Sequence, residues 1–212
     1  LAIRDAVVSG GYRAVLLEAD NSLPNKLAET HIDIAFNIAE GIRGRGREAE
    51  VPALLNLLGI PFTGSDETAL CIALDKALAK RVLGTYGVPT PGYAVLETAE
   101  DAWDAVLRYP VIMKPNAEGS NKGIPDACIA KSPKELYALA EANLARYGQP
   151  MLAEEYIDGR EFTVGILGNG GEARAFPPME IIFREEACID YRIYSYDVKQ
   201  DYERFVRYAC PA

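Results

Sequence analysis

The sequence predicts an α/β protein whose first part, about residues 1–74, is a parallel-sheet domain and whose remainder is α+β. Three observations carry that prediction. Up to GIPFTGS, short apolar segments suited to strands alternate with segments whose apolar residues recur at helical spacing. TYGVPTPGYAVL then interrupts the alternation with two prolines and two glycines, as a connection between domains would. Past it, strand candidates flank two helices with clear start signals, and a glycine-centred hairpin follows.

Residues 2–10 read as an amphipathic helix stopped by Gly10-Gly11. Arg13–Leu17 read as a short buried strand, DNSLPN as a polar turn into a brief helix, and His31–Asn37 as an alternating strand. Glu48–Leu58 repeats apolar positions at helical spacing and ends at Gly59, suited to the left-handed turn that follows a helix. GIPFTGS gives a strand and turn, with Ser65 placed to cap a helix from about Asp66. Further on, Thr98 precedes AEDAW with Asp101 three residues later. Ser132 precedes PKEL, with Pro133 in the first turn and Glu135 completing a capping box. Strands are expected at Tyr93–Leu96, Val111–Lys114, Ile124–Ala130 and Met151–Glu155. GREFTVGILGNGGEARAFPPMEII reads as two long strands around Gly168-Asn169-Gly170-Gly171, and the Tyr-rich tail after it has no clean period.

Composition narrows the function classes. Of 212 residues, 49% are hydrophobic and 25% charged, close to the globular average. Acids outnumber bases 31 to 22, a net charge of −9, which opposes general nucleic-acid binding. No apolar run approaches the ~20 residues that span a bilayer, and LAIRDAVVSGG carries charge where a secretory signal would be apolar. The cysteines (Cys71, Cys128, Cys188, Cys210) are scattered and His31 is the single histidine, so neither a disulfide framework nor a Cys/His zinc site is expected. A reducing cytoplasm is the expected setting.

Four segments carry candidate chemistry. In VIMKPNAEGSNKGI an apolar strand delivers Lys114 to a loop whose glycines and Ser120 suit close approach to phosphate oxygens, although the Walker spacing is absent. Taken alone, it is also what an ordinary hairpin loop looks like. Lys76, in CIALDKALAKRVLG, is a second candidate cation on a helix, where the local pattern favours a solvated lysine paired with an acid one turn away. MLAEEYIDGREFTVGIL offers a strand whose backbone suits an adenine edge and a carboxylate, Glu161, suited to ribose hydroxyls; a charged sheet edge has the same pattern. Lys199, in SYDVKQ, is by itself any surface lysine.

Taken together and in order, LDKALAKRVL, GVPTP, PVIMKPNAEGSNKG, LAEEYIDGREFTVGIL, PPMEI and YACPA resemble the D-alanine–D-alanine ligase family of ATP-grasp enzymes, from about Leu23 to Ala212. The resemblance implies a pre-ATP-grasp parallel-sheet domain (1–74), a central ATP-grasp lid domain (75–153) and the start of a C-terminal ATP-grasp domain (154–212). It implies ATP and Mg²⁺, with Lys76 and Lys114 as nucleotide-binding lysines and Ser120 in the phosphate-covering loop. Glu154, Glu155 and Ile157 match the adenine hinge, Glu161 the ribose acid, and Lys199 a lysine at the terminal phosphates; Ser120 and Lys199 are the catalytic candidates. The implied chemistry joins a carboxylate and an amine, both amino acids, through an acyl phosphate, in peptidoglycan synthesis. Such charge-neutralising work suits a site of lysines and amides.

The same resemblance makes the chain incomplete at both ends. It opens on a helix where such sheets begin on a strand, and the family's metal-binding acids lie in a later segment, so no metal ligand is assigned here and the segment alone is expected to be inactive. A homodimer is the candidate assembly, without membrane or nucleic-acid partners. Three departures concern the substrate half: NIAEGIRGRGREAEVP with Arg47 where an acid is usual, Asn121 and Lys122 in the loop, and Gln200 after Lys199. They leave open a ligase for another carboxylate, with Arg43, Arg45 or Arg47 near it, and a nucleotide-binding regulatory relic.

Overall fold

The computed structural model describes residues 2–119, 128–184 and 191–212, with main chain alone at 196 and 197. The chain divides into two compact units, Leu1–Ala79 and Lys80–Ala212.

The first unit holds α1 (Ala2–Ser9), α2 (Leu23–Glu29), α3 (Glu50–Leu57), α4 (Glu67–Leu74) and the opening of α5 (Lys76–Thr85). Pro24 sits in the first turn of α2, where a missing N–H leaves no bond unmade. A 3₁₀ turn at Arg47–Ala49 leads into α3, and Gly59 closes it at φ +67°, which a Cβ would disfavour. Asp66, not Ser65, caps α4, accepting from the Ala69 N–H at 2.8 Å. Leu23 and Leu27 pack on Leu55, with Leu17, Ile32, Ala35 and Phe62 around them.

The strands expected at Arg13–Leu17 and His31–Asn37 do not form as such. Among the described residues, this unit's ladder is a single parallel bridge, Ala35 to Phe62, with the Ala35 N–H donating to Pro61 at 2.8 Å. A strand exists only through a neighbour that takes its N–H and C=O groups. Val15, Leu16, Ile34 and Phe36 are correspondingly exposed.

The second unit contains β1 (Tyr93–Leu96), α6 (Asp101–Asp104), β2 (Val111–Pro115), β3 (Ile129–Ala130), α7 (Pro133–Tyr147) and β4 (Met151–Glu155). Its main sheet is antiparallel, in the order β1-β4-β2-β3. Leu96, Val111, Met113, Met151 and Ala153 face Leu136 and Ala140 of α7 and Ala102 of α6, all of them buried. The Ser132 hydroxyl caps α7 by accepting from the Glu135 N–H, while the Glu135 carboxylate reaches the N–H of Lys131, one residue earlier than a capping box requires. Thr98 does not cap α6. Instead Asp101 accepts from the Glu97 and Thr98 N–H groups at 2.7 and 2.8 Å. Of the strand expected at Ile124–Ala130, β3 is the paired part; 120–127 lie outside the described residues.

The expected long hairpin is broken in two. β5 (Glu161–Thr163) pairs with β8 (Met179–Phe183), and β6 (Ile166–Leu167) with β7 (Arg174–Ala175). Between the pairs, 164–165 face 176–178, a bulge in which Pro177 and Pro178 have no N–H to give. Gly168 turns the tip at φ +100°, where a Cβ would sit 2.6 Å from the Glu172 carbonyl. α8 (Tyr196–Gln200) and α9 (Tyr202–Phe205) lead to β9 (Val206–Ala209), which extends the sheet as β5-β8-β9.

Candidate functional site

Alternation along β2 buries Val111 and Met113 against α7 and turns Lys114 to the opposite face of the sheet. Glu154 shares that face, because it pairs across from Ile112. There Lys114 binds one oxygen of the Glu154 carboxylate and Lys80, from α5, binds the other at 2.8 Å. The Lys80 Nζ also donates to the Pro91 carbonyl at 3.3 Å and lies 5.1 Å from the centre of the Tyr93 ring. Side-chain exposure is 9% for Lys80, 10% for Glu154 and 19% for Lys114. Burial pushes the Glu154 carboxyl up, but the Lys114 charge and hydrogen bonds from both lysines outweigh it and hold the group below its ordinary range.

Glu155 points elsewhere. Arg108 grips its carboxylate through the side chain at 3.1 and 2.7 Å and through its own main-chain N–H at 3.1 Å. Those Arg108 hydrogen bonds lower the carboxyl's pKa. The carboxylate lies against Gly92, where a Cβ would come within 3.0 Å of it. The Glu155 N–H donates to the Gly92 carbonyl at 2.9 Å, and the Tyr156 N–H to Pro110 at 3.0 Å. Continued past Tyr93, the β1–β4 register sets Gly92 opposite Glu155 and Thr90 opposite Ile157. Among the described residues, neither the Glu155 carbonyl nor the Ile157 N–H takes a main-chain partner there. Both project to the same side of the strand, an acceptor beside a donor at the lip of a cleft.

That cleft, of about 660 Å³, lies within the second unit. It is lined by Ile112 and Lys114 of β2, by Thr163, Met179 and Ile181 of β5 and β8, and by Arg192, Tyr194 and Lys199. Glu161 lies inside; burial raises its carboxyl's pKa, opposed in part by the Tyr194 N–H. The Tyr194 and Tyr208 hydroxyls meet at 2.6 Å. Burial first, then that hydrogen bond, pushes Tyr194 up to about 12, so its phenol stays protonated at neutral pH. Ser195, fully buried, accepts from the Val198 N–H at the start of α8, which carries Lys199. The Lys199 Nζ stands 5.5 Å from the Tyr194 ring centre.

Lys114, Glu154, Glu155, Ile157, Glu161 and Lys199 thus line one cleft, as residues far apart in sequence. The carboxylates of Glu154 and Glu155 are engaged within the protein, so what that stretch offers a ligand is main chain. Lys76 opens α5 in the first unit, and Ser120 lies outside the described residues. Sequence reasoning missed Lys80, although LDKALAK sets it four residues after Lys76, on the same side of the helix.

In the first unit, a cleft of about 490 Å³ is lined by Arg43 and Ile42 of the arginine loop, by Asp20 and by Leu54. Arg45 instead pairs with Asp75 at 2.9 Å, and Arg47 opens the 3₁₀ turn. Gly41, at φ +70°, is obligatory there, since a Cβ would lie 1.9 Å from the Arg47 carbonyl. Among the described residues, no three His, Cys, Asp or Glu side chains gather as metal ligands, and no helix is long and apolar enough to cross a membrane.

Solved structures share this architecture. D-alanyl-alanine synthetase A from Vibrio cholerae superposes with a TM-score of 0.67 at 21% identity, over 85% of this chain and 53% of its own. The VanG D-Ala:D-Ser ligase from Enterococcus faecalis gives 0.62 at 26% identity, over 77% and 47%. The fold is therefore that of ATP-grasp ligases. Residues 82–212 match the family described as D-ala D-ala ligase C-terminus, and the chain belongs to that family. A D-alanine–D-alanine ligase of Geobacter sulfurreducens is 38% identical over 85% of this chain, and the uncharacterized protein y4sG of Sinorhizobium fredii is 35% identical over 84%. The chain spans about half the length of these relatives, 55% in each case.

Proposed function

We propose that the chain belongs to an ATP-dependent carboxylate–amine ligase, similar to D-alanine–D-alanine ligase, which forms an amide between amino acids through an acyl phosphate. One observation carries this reading: an unpaired main-chain acceptor and donor, at Glu155 and Ile157, lie on the same cleft as Lys114, Glu161 and Lys199. An adenine edge offers the amino donor and ring acceptor that such a pair complements. Glu161, a few residues on, accepts from ribose hydroxyls, and Lys114 and Lys199 take the phosphates. Lys76 and Ser120 belong to the same proposal, as does division of the chain at 74 and 153.

In this site the protein supplies position and charge rather than a nucleophile. Lysines beside the phosphates neutralise charge as the substrate carboxylate attacks the γ-phosphorus and ADP leaves; an amine then displaces phosphate from the acyl phosphate. Among the described residues, the acids do not gather as magnesium ligands. The setting this reading implies is cytoplasmic peptidoglycan synthesis.

A second reading, a ligase for a different carboxylate, rests on Arg43 at the first unit's cleft, since guanidinium forks suit carboxylates. Phosphate release from ATP by the full-length protein, measured across D- and L-amino acids, tests both. Release stimulated by D-alanine supports the first, and release stimulated only by another acid supports the second. Binding of ATP with no release under any amino acid would overturn both and leave the regulatory relic.

A further inference from the structure

Glu154 has more counter-charge than it needs. Each carboxylate oxygen has its own lysine, so three buried or nearly buried charges sum to +1. The two lysines are not equivalent. Lys80 is held on three sides, by Glu154, the Pro91 carbonyl and the Tyr93 ring, and does not line the cleft. Lys114 is more exposed, pairs with Glu154, and forms part of the cleft wall. A carboxylate 10% exposed and stripped of every cation would be a costly buried charge. Lys114 can therefore turn from Glu154 to an incoming anion only if another cation stays behind.

Resting on the nucleotide reading above, we infer that Lys80 is a positioning residue: it holds the Glu154 charge and so releases Lys114 to a ligand phosphate. Lys80 touches no ligand in this scheme and acts through Glu154. Without it, Glu154 and Lys114 become a closed neutral pair, and the cleft loses the surplus positive charge that a phosphate meets.

The test compares ATP with adenosine, which shares the base and ribose but has no phosphate, by calorimetric titration of the full-length protein. For Lys80→Met, ATP affinity is expected to fall about tenfold or more, the scale of one withdrawn charged hydrogen bond, with adenosine affinity nearly unchanged. Adding Glu154→Gln to Lys80→Met unpins Lys114 and recovers most of the ATP loss. Equal losses for ATP and adenosine, or no recovery in the double variant, would overturn the inference, since a merely structural lysine behaves that way. Glu154→Gln alone gives a second route should Lys80→Met fail to fold. It leaves both lysines without their anion, so ATP affinity stays level or rises, and a fall would overturn the inference. Absence of binding by the unsubstituted protein would overturn the nucleotide reading and this inference together.

Discussion

Replacing Glu154 with Gln removes the anion on which Lys80 and Lys114 converge, and its cost depends on pH in a calculable direction. Breaking a buried ion pair costs about 3–5 kcal/mol when the remaining charge is trapped. Here Lys114, at 19% exposure, can turn toward water, and the amide oxygen still accepts one hydrogen bond, so about 2–3 kcal/mol is expected at pH 7. That is a large share of a typical stability of roughly 5–15 kcal/mol. Trp103, the single tryptophan, stacks on Tyr137 at 5.3 Å within the second unit, so its fluorescence reports urea unfolding of that unit. The Glu154 carboxyl titrates below its ordinary 4.5 in the folded protein. Its contribution is therefore complete above the unfolded carboxyl's range and is lost as pH falls through the lowered folded value. The gap between wild type and variant is expected to be full at pH 7 and to close in more acid solution. A gap of the same size at both ends of that range, or none at pH 7, would refute the argument.

Further expectations follow from the same geometry. Lys114→Met is expected to weaken ATP by about 1.5–3 kcal/mol, read by titration, while adenosine binding holds. Leu136→Ala empties a fully buried position between α7 and the sheet and is expected to cost about 2–5 kcal/mol in urea unfolding. Ile157→Pro deletes an N–H that has no ladder partner and changes a side chain that is 68% exposed. It is expected to leave the melting temperature nearly unchanged while abolishing adenosine binding; a large drop in melting temperature would show that this N–H is structural.

The residues whose signals are local were legible in the sequence. Ser132, Pro133 and Glu135 mark the start of α7 because capping is settled within one turn, and Val111–Lys114 and Met151–Glu155 are strands because their neighbours exist to receive them. Arg13–Leu17 has the same apolar character but forms no strand, since pairing is a property of the partner and not of the segment. The proline pair at 177–178 gave a visible reason for the broken hairpin, yet a bulge depends on what stands opposite, at 164–165. At the site, Lys114, Glu161 and Lys199 could be named from their surroundings, whereas Lys80 reads locally as one more helix lysine. Only the long-range contact with Glu154 of β4 makes it a buried charge.

The unpaired carbonyl and amide beside the end of β1 have a consequence for how this protein tolerates mutation. A recognition element made of one carbonyl and one amide belongs to the chain itself, so nineteen of the twenty residue types at position 157 carry it equally well. Alanine at position 157 would leave that element in place and report the position as inert. Drift in side-chain identity there is correspondingly cheap, and a search that scores residue types alone sees little. The main chain at 90 and 92 is the more informative place to look, because a small shift that brought the Gly92 N–H onto the Glu155 carbonyl, or the Thr90 carbonyl onto the Ile157 N–H, would close the opening from within.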